Sequence, residues 1–276
     1  MMTPVELKMT TMDYPFMVDP CEFAGKRVLI TGGTKGLGAA MIRRFVTGGA
    51  TVATTARSSS AAEDPAVLFI EADVSTVAGS QKIIDRIQRE WGSVDILINN
   101  VGAGVAPSGG YESITDEVWQ HMLDVNFLGA VRLDRAFVPA MTERKWGVVI
   151  HIGTLWARLP QADDAIAYSA AKAALRAYSK GLAKAVAARG VRVNMVSPGM
   201  FMTESAVNWI AHIAKTSGIT EQAALERLMA RSGGIPLGRP GRPVEIAEMV
   251  ALLASERGAF ACGVDYLMDG GVLQSL

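Results

Sequence analysis

The sequence predicts an α/β fold: a doubly wound parallel sheet of about seven strands, with helices on both faces. Three observations predict it. Short runs such as Arg27–Thr31, Val94–Asn99 and Gly147–Ile152 have continuous apolar centres rather than an alternating pattern, which is the pattern of strands buried on both sides. Amphipathic stretches such as Gly36–Thr47 and Thr76–Trp91 separate such runs, so strand and helix alternate along the chain. A glycine-rich segment, Thr31 to Gly38, joins the first strand to the first helix. Crossovers in such a sheet are expected to be right-handed.

Taken in order, Met1 to about Phe23 is a leader rich in Met and Thr, with Pro4, Pro15 and Pro20 and no sustained periodicity. Residues 1–24 are expected to be an extension that lies over the surface or forms an ill-ordered tail. From residue 25 to 276 no linker, repeat or low-complexity segment interrupts the pattern, so one domain is expected. The runs Thr51–Ala56 and Val67–Glu71 read as the next strands, and Thr76–Trp91 as a helix with Ile83, Ile84 and Ile87 on one side. Val94–Asn99 is a buried strand, Thr115–Phe137 a long helix and Gly147–Ile152 another strand. Ile166–Arg189 reads as a helix and Val191–Val196 as a strand. A helix at Pro243–Ala254 and a short strand at Tyr266–Met268 close the chain.

Composition narrows the function classes. Lys plus Arg and Asp plus Glu each number 27, which gives no charge-based case for nucleic acid or an anionic membrane as partner. No apolar run reaches membrane-spanning length, and no basic segment followed by an apolar stretch marks a secretory signal. Cys21 and Cys262 are too few for a disulfide framework, and no metal-ligand cluster is present. The expected setting is the cytoplasm, with no metal.

In Thr31-Gly32-Gly33-Thr34-Lys35-Gly36-Leu37-Gly38, Gly32 permits a tight turn, Gly36 lets backbone approach a pyrophosphate, and Gly38 allows close helix–strand packing. The helix start supplies free N–H groups and a partial positive charge. This placement predicts a dinucleotide site. A cofactor with a free 2′-hydroxyl would meet Asp or Glu at the end of the second strand. Here Ala56 stands there, followed by Arg57, with Lys35 in the glycine turn. Two cations and no carboxylate favour a 2′-phosphate, hence NADP(H) over NAD(H).

Within Ala167-Tyr168-Ser169-Ala170-Ala171-Lys172, helical spacing places Tyr168 and Lys172 one turn apart on one face. A fixed ammonium there is expected to favour the phenolate and lower the tyrosine pKa, letting the pair pass a proton to or from a carbonyl or alcohol oxygen.

With these motifs in order, the chain resembles the short-chain dehydrogenase/reductase family from about Gly25 to Gly271. Thr31 to Gly38 matches that family's T-G-x-x-x-G-x-G, and Asp73-Val74 its adenine contact. Asn99-Asn100-Val101-Gly102 stands for its N-N-A-G, and Tyr168 and Lys172 for its Y-x-x-x-K. Asn126 falls on its proton-relay asparagine, and Pro198-Gly199 with Thr203 on its P-G-x-x-x-T. The resemblance implies a Rossmann-type sheet and a nicotinamide cofactor held by Gly32, Thr34, Lys35, Gly36, Leu37, Gly38, Arg57, Asp73, Val74, Asn100, Gly102, Pro198, Gly199 and Thr203, with Tyr168 and Lys172. It implies Tyr168 as the proton donor, Lys172 bonded to the nicotinamide ribose, and Asn126 holding a water that connects Lys172 to solvent.

The chain departs from the family at the catalytic serine. The family's usual spacing before the tyrosine lands on Leu155, which cannot donate a hydrogen bond. Aligning the strand Ile150-His151-Ile152-Gly153-Thr154 instead puts Thr154 in that role, with an extra residue in the following loop, where insertions are tolerated. Its hydroxyl can orient the substrate oxygen, although its methyl crowds the pocket. That change leaves open a same-fold non-redox reaction, an elimination, isomerisation or epimerisation. A cofactor-binding module without turnover is disfavoured by the intact Tyr168, Lys172 and Asn126. His151, inside the strand, reads as structural.

The expected product is a reductase of a moderately apolar small molecule. Val105, Leu155, Trp156, Met200, Phe201 and Met202 are candidate covers for the substrate beside Thr154, while Trp209 and Ile213 fit packing of a lid at least as well. That lid, residues about 200–235, should contain helices near Glu204–Lys215 and Thr220–Arg231, with Gly218 and Gly233-Gly234 as hinges. The family resemblance implies a homo-oligomer, a tetramer or dimer, and the small residues Ala170, Ala173, Ala174 and Ala177 would let two helices approach.

Overall fold

A computed structural model of the chain describes residues 14–58, 65–104, 110–161, 165–230 and 233–274. Seven parallel strands form one sheet: β1 (Arg27–Thr31), β2 (Thr51–Ala56), β3 (Val67–Glu71), β4 (Ile96–Asn99), β5 (Gly147–Ile152), β6 (Val191–Pro198) and β7 (Asp265–Met268). Their spatial order is β3-β2-β1-β4-β5-β6-β7. The direction of winding reverses between β1 and β4, and a crevice opens at the carboxyl ends of strands at such a point.

Strand side chains alternate between faces, and the core divides accordingly. Val28 and Ile30 of β1 join a cluster with Met41 and Phe45 of α1 (Gly36–Thr47) and Ile246 and Val250 of α8 (Pro243–Ala254). Leu29, between them, joins the opposite cluster. There it meets Ile83 and Ile87 of α2 (Val77–Trp91), Leu133 and Phe137 of α4 (Gly129–Glu143), and Ala183 and Val186 of α5 (Ile166–Val186). The doubly wound, two-faced sheet is the predicted one.

Element boundaries differ in informative places. The predicted helix Thr115–Phe137 comprises α3 (Asp116–Leu123), a wider π-type turn at Asp124–Leu128 and then α4, which runs through Pro139 to Glu143. Gly129 opens α4 because a Cβ there would stand 2.9 Å from the Val74 carbonyl oxygen. The leader is pinned where it meets the domain: Phe23 is buried on Phe45 with ring centroids 4.6 Å apart, and Glu22 pairs with Arg44 and Arg257. After β6, α6 (Glu204–Ser217) and α7 (Glu221–Ala230) pack on each other through Ile210, Ala214 and Ala224. Gly218 between them takes a positive φ of 65°, a conformation that favours glycine. No helix among the described residues is long and apolar enough to cross a membrane.

Candidate active site

The glycine turn sits where β1 delivers the chain to the crevice. Gly32 and Gly36 have φ of 70° and 58°. A Cβ on Gly38 would lie 2.1 Å from the Gly32 carbonyl oxygen, so the start of α1 lies flush against the turn. Asn100 braces the turn, its Nδ2 donating to the Thr31 and Gly32 carbonyls at 2.8 and 3.1 Å. No side chain caps the N-terminus of α1, and its first turn holds no acidic residue. A bare helix start behind open glycines fits a pyrophosphate.

Lys35 and Arg57 are both exposed near this turn and at the end of β2. Burial raises the Asp73 pKa, but the Ser75 hydroxyl at 2.7 Å and N–H at 2.9 Å, with the charges of Arg57 and His121, hold it below its ordinary value. His121 was not anticipated in this neighbourhood; it arrives from α3, and no local pattern links it to Asp73. Thr203 caps α6, accepting from the Ala206 N–H at 3.2 Å. Its side chain also faces the turn: a Cβ on Gly36 would stand 3.4 Å from Thr203 Cγ2.

Four polar side chains gather beyond the turn. Thr154, just past the end of β5, lines the cavity with the Tyr168 phenol, and its Oγ1 accepts from the Trp156 N–H at 3.3 Å. Lys172 is 2 % exposed and donates to the carbonyls of Ile152 at 2.9 Å and Val101 at 3.4 Å. Asn126, in the π-type turn, donates through Nδ2 to the Ala103 and Met122 carbonyls and accepts through Oδ1 from the Ala103 N–H, each at 3.1 Å. A Cβ on Gly102 would lie 3.2 Å from both Lys172 Nζ and Asn126 Oδ1, so this glycine keeps the two together.

One expectation is corrected. Burial raises the Tyr168 pKa above its ordinary value, with the neighbouring Thr154 hydroxyl opposing it only in part. Lys172 does not reverse this, because its ammonium is bonded to the Ile152 and Val101 carbonyls. Spacing along a helix gives the face a side chain shares, not the group it bonds. Burial also lowers Lys172, to about 8. Between that value and the ordinary lysine pKa, the unfolded chain holds a proton that the folded chain has released, so stability rises with pH across this window. Without added cofactor, unfolding free energy should climb more steeply between pH 8 and 10 in the native sequence than in Lys172→Met. The difference reaches at most about 1.4 kcal/mol per pH unit, and parallel denaturant titrations measure it.

Thr154 and Tyr168 open onto a cavity of about 320 Å³. Its walls come from Leu155 and Trp156 after β5, Pro198 to Phe201 after β6, Trp209 on α6, and Leu228 and Met229 on α7. The Trp156 ring meets Tyr168 edge-on, centroids 6.0 Å apart. Thr154, Trp156, Met200 and Phe201 therefore stand together as anticipated, whereas Val105 lies outside the described residues. Ile213 packs between α6 and α7 rather than lining the cavity. Gln161, Ile235, Val272, Leu228 and Met229 line it unannounced. The amphipathic pattern of α7 was the one available signal, and it does not say what its apolar face covers.

His151 Nε2 stands 2.9 Å from Asp134 Oδ2 and Nδ1 stands 3.0 Å from Ser179 Oγ. The order resembles a nucleophilic triad, but all three residues are buried in the core and none lines the cavity, so the string braces α4 and α5 against β5.

Comparison with known proteins agrees with this geometry. A family profile described as short chain dehydrogenase matches residues 26–214. The 3-oxoacyl-acyl-carrier-protein reductase FabG of Salmonella typhimurium is 31% identical over 256 residues, 91% of this chain and 98% of that protein. The 3beta-hydroxysteroid dehydrogenase 1 of Eggerthella lenta is 34% identical, covering 91% of this chain and 95% of its own. Among solved structures, L-sorbose reductase from Gluconobacter frateurii, complexed with NADPH and L-sorbose, superposes with a TM-score of 0.86 at 30% identity over 93% of this chain and 100% of that one. The 3-ketoacyl-(acyl-carrier-protein) reductase of Brucella melitensis, complexed with NADH, gives 0.77 at 27% identity, covering 90% of this chain and 98% of that one. With the glycine turn, the half-buried Tyr168 beside the buried Lys172 and these relatives in agreement, the chain belongs to the short-chain dehydrogenase/reductase family and is an NAD(P)-dependent oxidoreductase.

Proposed function

We propose that the protein is an NADPH-dependent reductase of a carbonyl, or in reverse an oxidant of an alcohol, on a moderately apolar small molecule. The observation that carries this reading is that the Thr154 and Tyr168 side chains together line one apolar cavity. The bound nicotinamide supplies or accepts the hydride. Tyr168 donates its proton to the substrate oxygen. Its raised pKa keeps the phenol protonated at neutral pH, which suits reduction. Thr154 orients that oxygen through its hydroxyl. Lys172 holds the nicotinamide ribose, and Asn126 supports the relay from Lys172 to solvent. Because Thr154 keeps a donor against Tyr168, nothing in the site favours a non-redox reaction.

The turn residues Gly32 to Gly38, with Asp73, Val74, Asn100, Gly102, Pro198, Gly199 and Thr203, hold the cofactor. Arg57 and Lys35, with no carboxylate at Ala56, select the 2′-phosphate. Residues 25–276 form one domain in which α6 and α7 act as the lid that excludes water. We further propose a cytoplasmic homotetramer or homodimer. Loss of nicotinamide absorbance with a panel of apolar ketones tests the activity; no turnover of any carbonyl overturns it. Arg57→Ala should raise the KM for NADPH about tenfold or more and leave that for NADH within about twofold. Equal effects on the two cofactors would remove the 2′-phosphate argument.

A further inference from the structure

The carboxylate of Asp265, on β7, receives hydrogen bonds from three elements that build the site. Arg158 donates to Oδ2 through Nε at 3.1 Å and Nη2 at 2.7 Å, and through Nη2 to the Asp265 carbonyl at 3.1 Å. Arg176 Nε donates to the same Oδ2 at 2.9 Å. The Ser197 hydroxyl donates to Oδ1 at 2.6 Å. Gly153 leaves room for that hydroxyl, since a Cβ there would stand 2.5 Å from Ser197 Oγ.

Each donor is tied to a reacting or lining group. Arg158 closes the short turn Leu155–Ala157, which Thr154 caps and which presents Trp156 to the cavity. Its own N–H bonds the Leu155 carbonyl at 2.9 Å. Arg176 follows Lys172 by one helical turn, as Lys172 follows Tyr168, so the three share one stripe of α5. Ser197 immediately precedes Pro198 and Gly199, which line the cavity.

We propose that Asp265 is a positioning residue for the reduction, clamping the Thr154–Trp156 turn, the Tyr168 helix and the Ser197–Gly199 strand end into one frame. This rests on the reductase reading above. The two hydroxyls that must converge on one substrate oxygen come from different elements, β5 and α5, and Asp265 is bonded to both neighbourhoods. Its side chain is only 12 % exposed, so its bonds to Ser197 and Arg158 are largely shielded from water, while Arg176 reaches it from the exposed side. Removing the carboxylate leaves two guanidinium groups facing each other without a counter-charge. A displacement of about 1 Å at the reacting centre can lower turnover about 10²-fold.

Asp265→Asn and Arg158→Met test this, with three readouts: kcat and KM toward an apolar ketone, the Kd for NADPH, and amide hydrogen exchange. Asp265→Asn should lower kcat about 10- to 100-fold with the NADPH Kd within about twofold, and exchange at Leu155–Arg158 should quicken while the Gly32–Gly38 turn is unchanged. Arg158→Lys, which keeps a donor to Oδ2, should recover part of the loss. Should Asp265→Asn fail to fold, Arg158→Met leaves Arg176 and Ser197 on the carboxylate and should show the same split with smaller amplitude. Unaltered kcat in the folded variants overturns the proposal, as does a fall in kcat and NADPH affinity in step with lost thermal stability. A native protein that reduces no carbonyl refutes the reductase reading instead. Exchange at Leu155–Arg158 then decides the clamp alone, quickened in support or unchanged against.

Discussion

Tyr168→Phe should lower kcat by about 10²–10⁴-fold, the range a positioned general acid contributes, while the Kd for NADPH stays within about threefold. The phenyl ring fills the volume and keeps the edge contact with Trp156, so only the hydroxyl is lost. Net hydrogen-bond contributions are about 1 kcal/mol, so the melting temperature should move little. Single-turnover absorbance of bound NADPH, with cofactor titrated separately by fluorescence, separates chemistry from binding. Turnover above a tenth of the native rate would show that some other group delivers the proton.

Gly38→Ala is expected to damage the cofactor turn more than Gly36→Ala does. The new Cβ would meet the Gly32 carbonyl oxygen at 2.1 Å, Gly33 Cα at 2.8 Å and Asn100 Nδ2 at 2.9 Å. Two of these are backbone atoms, so relief requires α1 to withdraw from the turn. Overpacking of this kind destabilises by about 1–3 kcal/mol, and the withdrawn helix start should weaken NADPH binding about 100-fold. By contrast, Gly36→Ala meets only Thr203, at 3.4 Å or more, and is strained mainly by its φ of 58°. Its expected destabilisation is about 1 kcal/mol. Isothermal titration with NADPH and thermal melts on both variants make the comparison, and a smaller loss of affinity in Gly38→Ala than in Gly36→Ala would contradict it.

What the sequence made legible was local. The glycine turn, the strand runs and the one-turn spacing of Tyr168 and Lys172 each depend on residues within a few positions of one another, where backbone geometry dictates the outcome. Aligning the strand rather than counting residues put Thr154 in the serine's role, and Thr154 does line the cavity that Tyr168 lines. The far wall of the cavity was not legible, because Leu228, Met229, Ile235 and Val272 join Trp156 around it only through the tertiary fold. The sign of the Tyr168 shift was missed for a related reason: desolvation depends on everything packed around a group, and the lysine's partners are carbonyls from two other strand ends. Asp265 carried no motif at all. Its significance comes from Arg158, Arg176 and Ser197, which approach from three separate elements.

The side chain of Asn126 carries one more consequence. Its amide pairs both the N–H and the carbonyl of Ala103, as a peptide unit of an adjoining strand would. The chain beyond β4 is thus supported as if the sheet went on for another rung, supplied sideways by a helix. The last supported residue of that pseudo-strand is the one that borders Gly102, so the floor under the reacting groups is framed by a borrowed peptide.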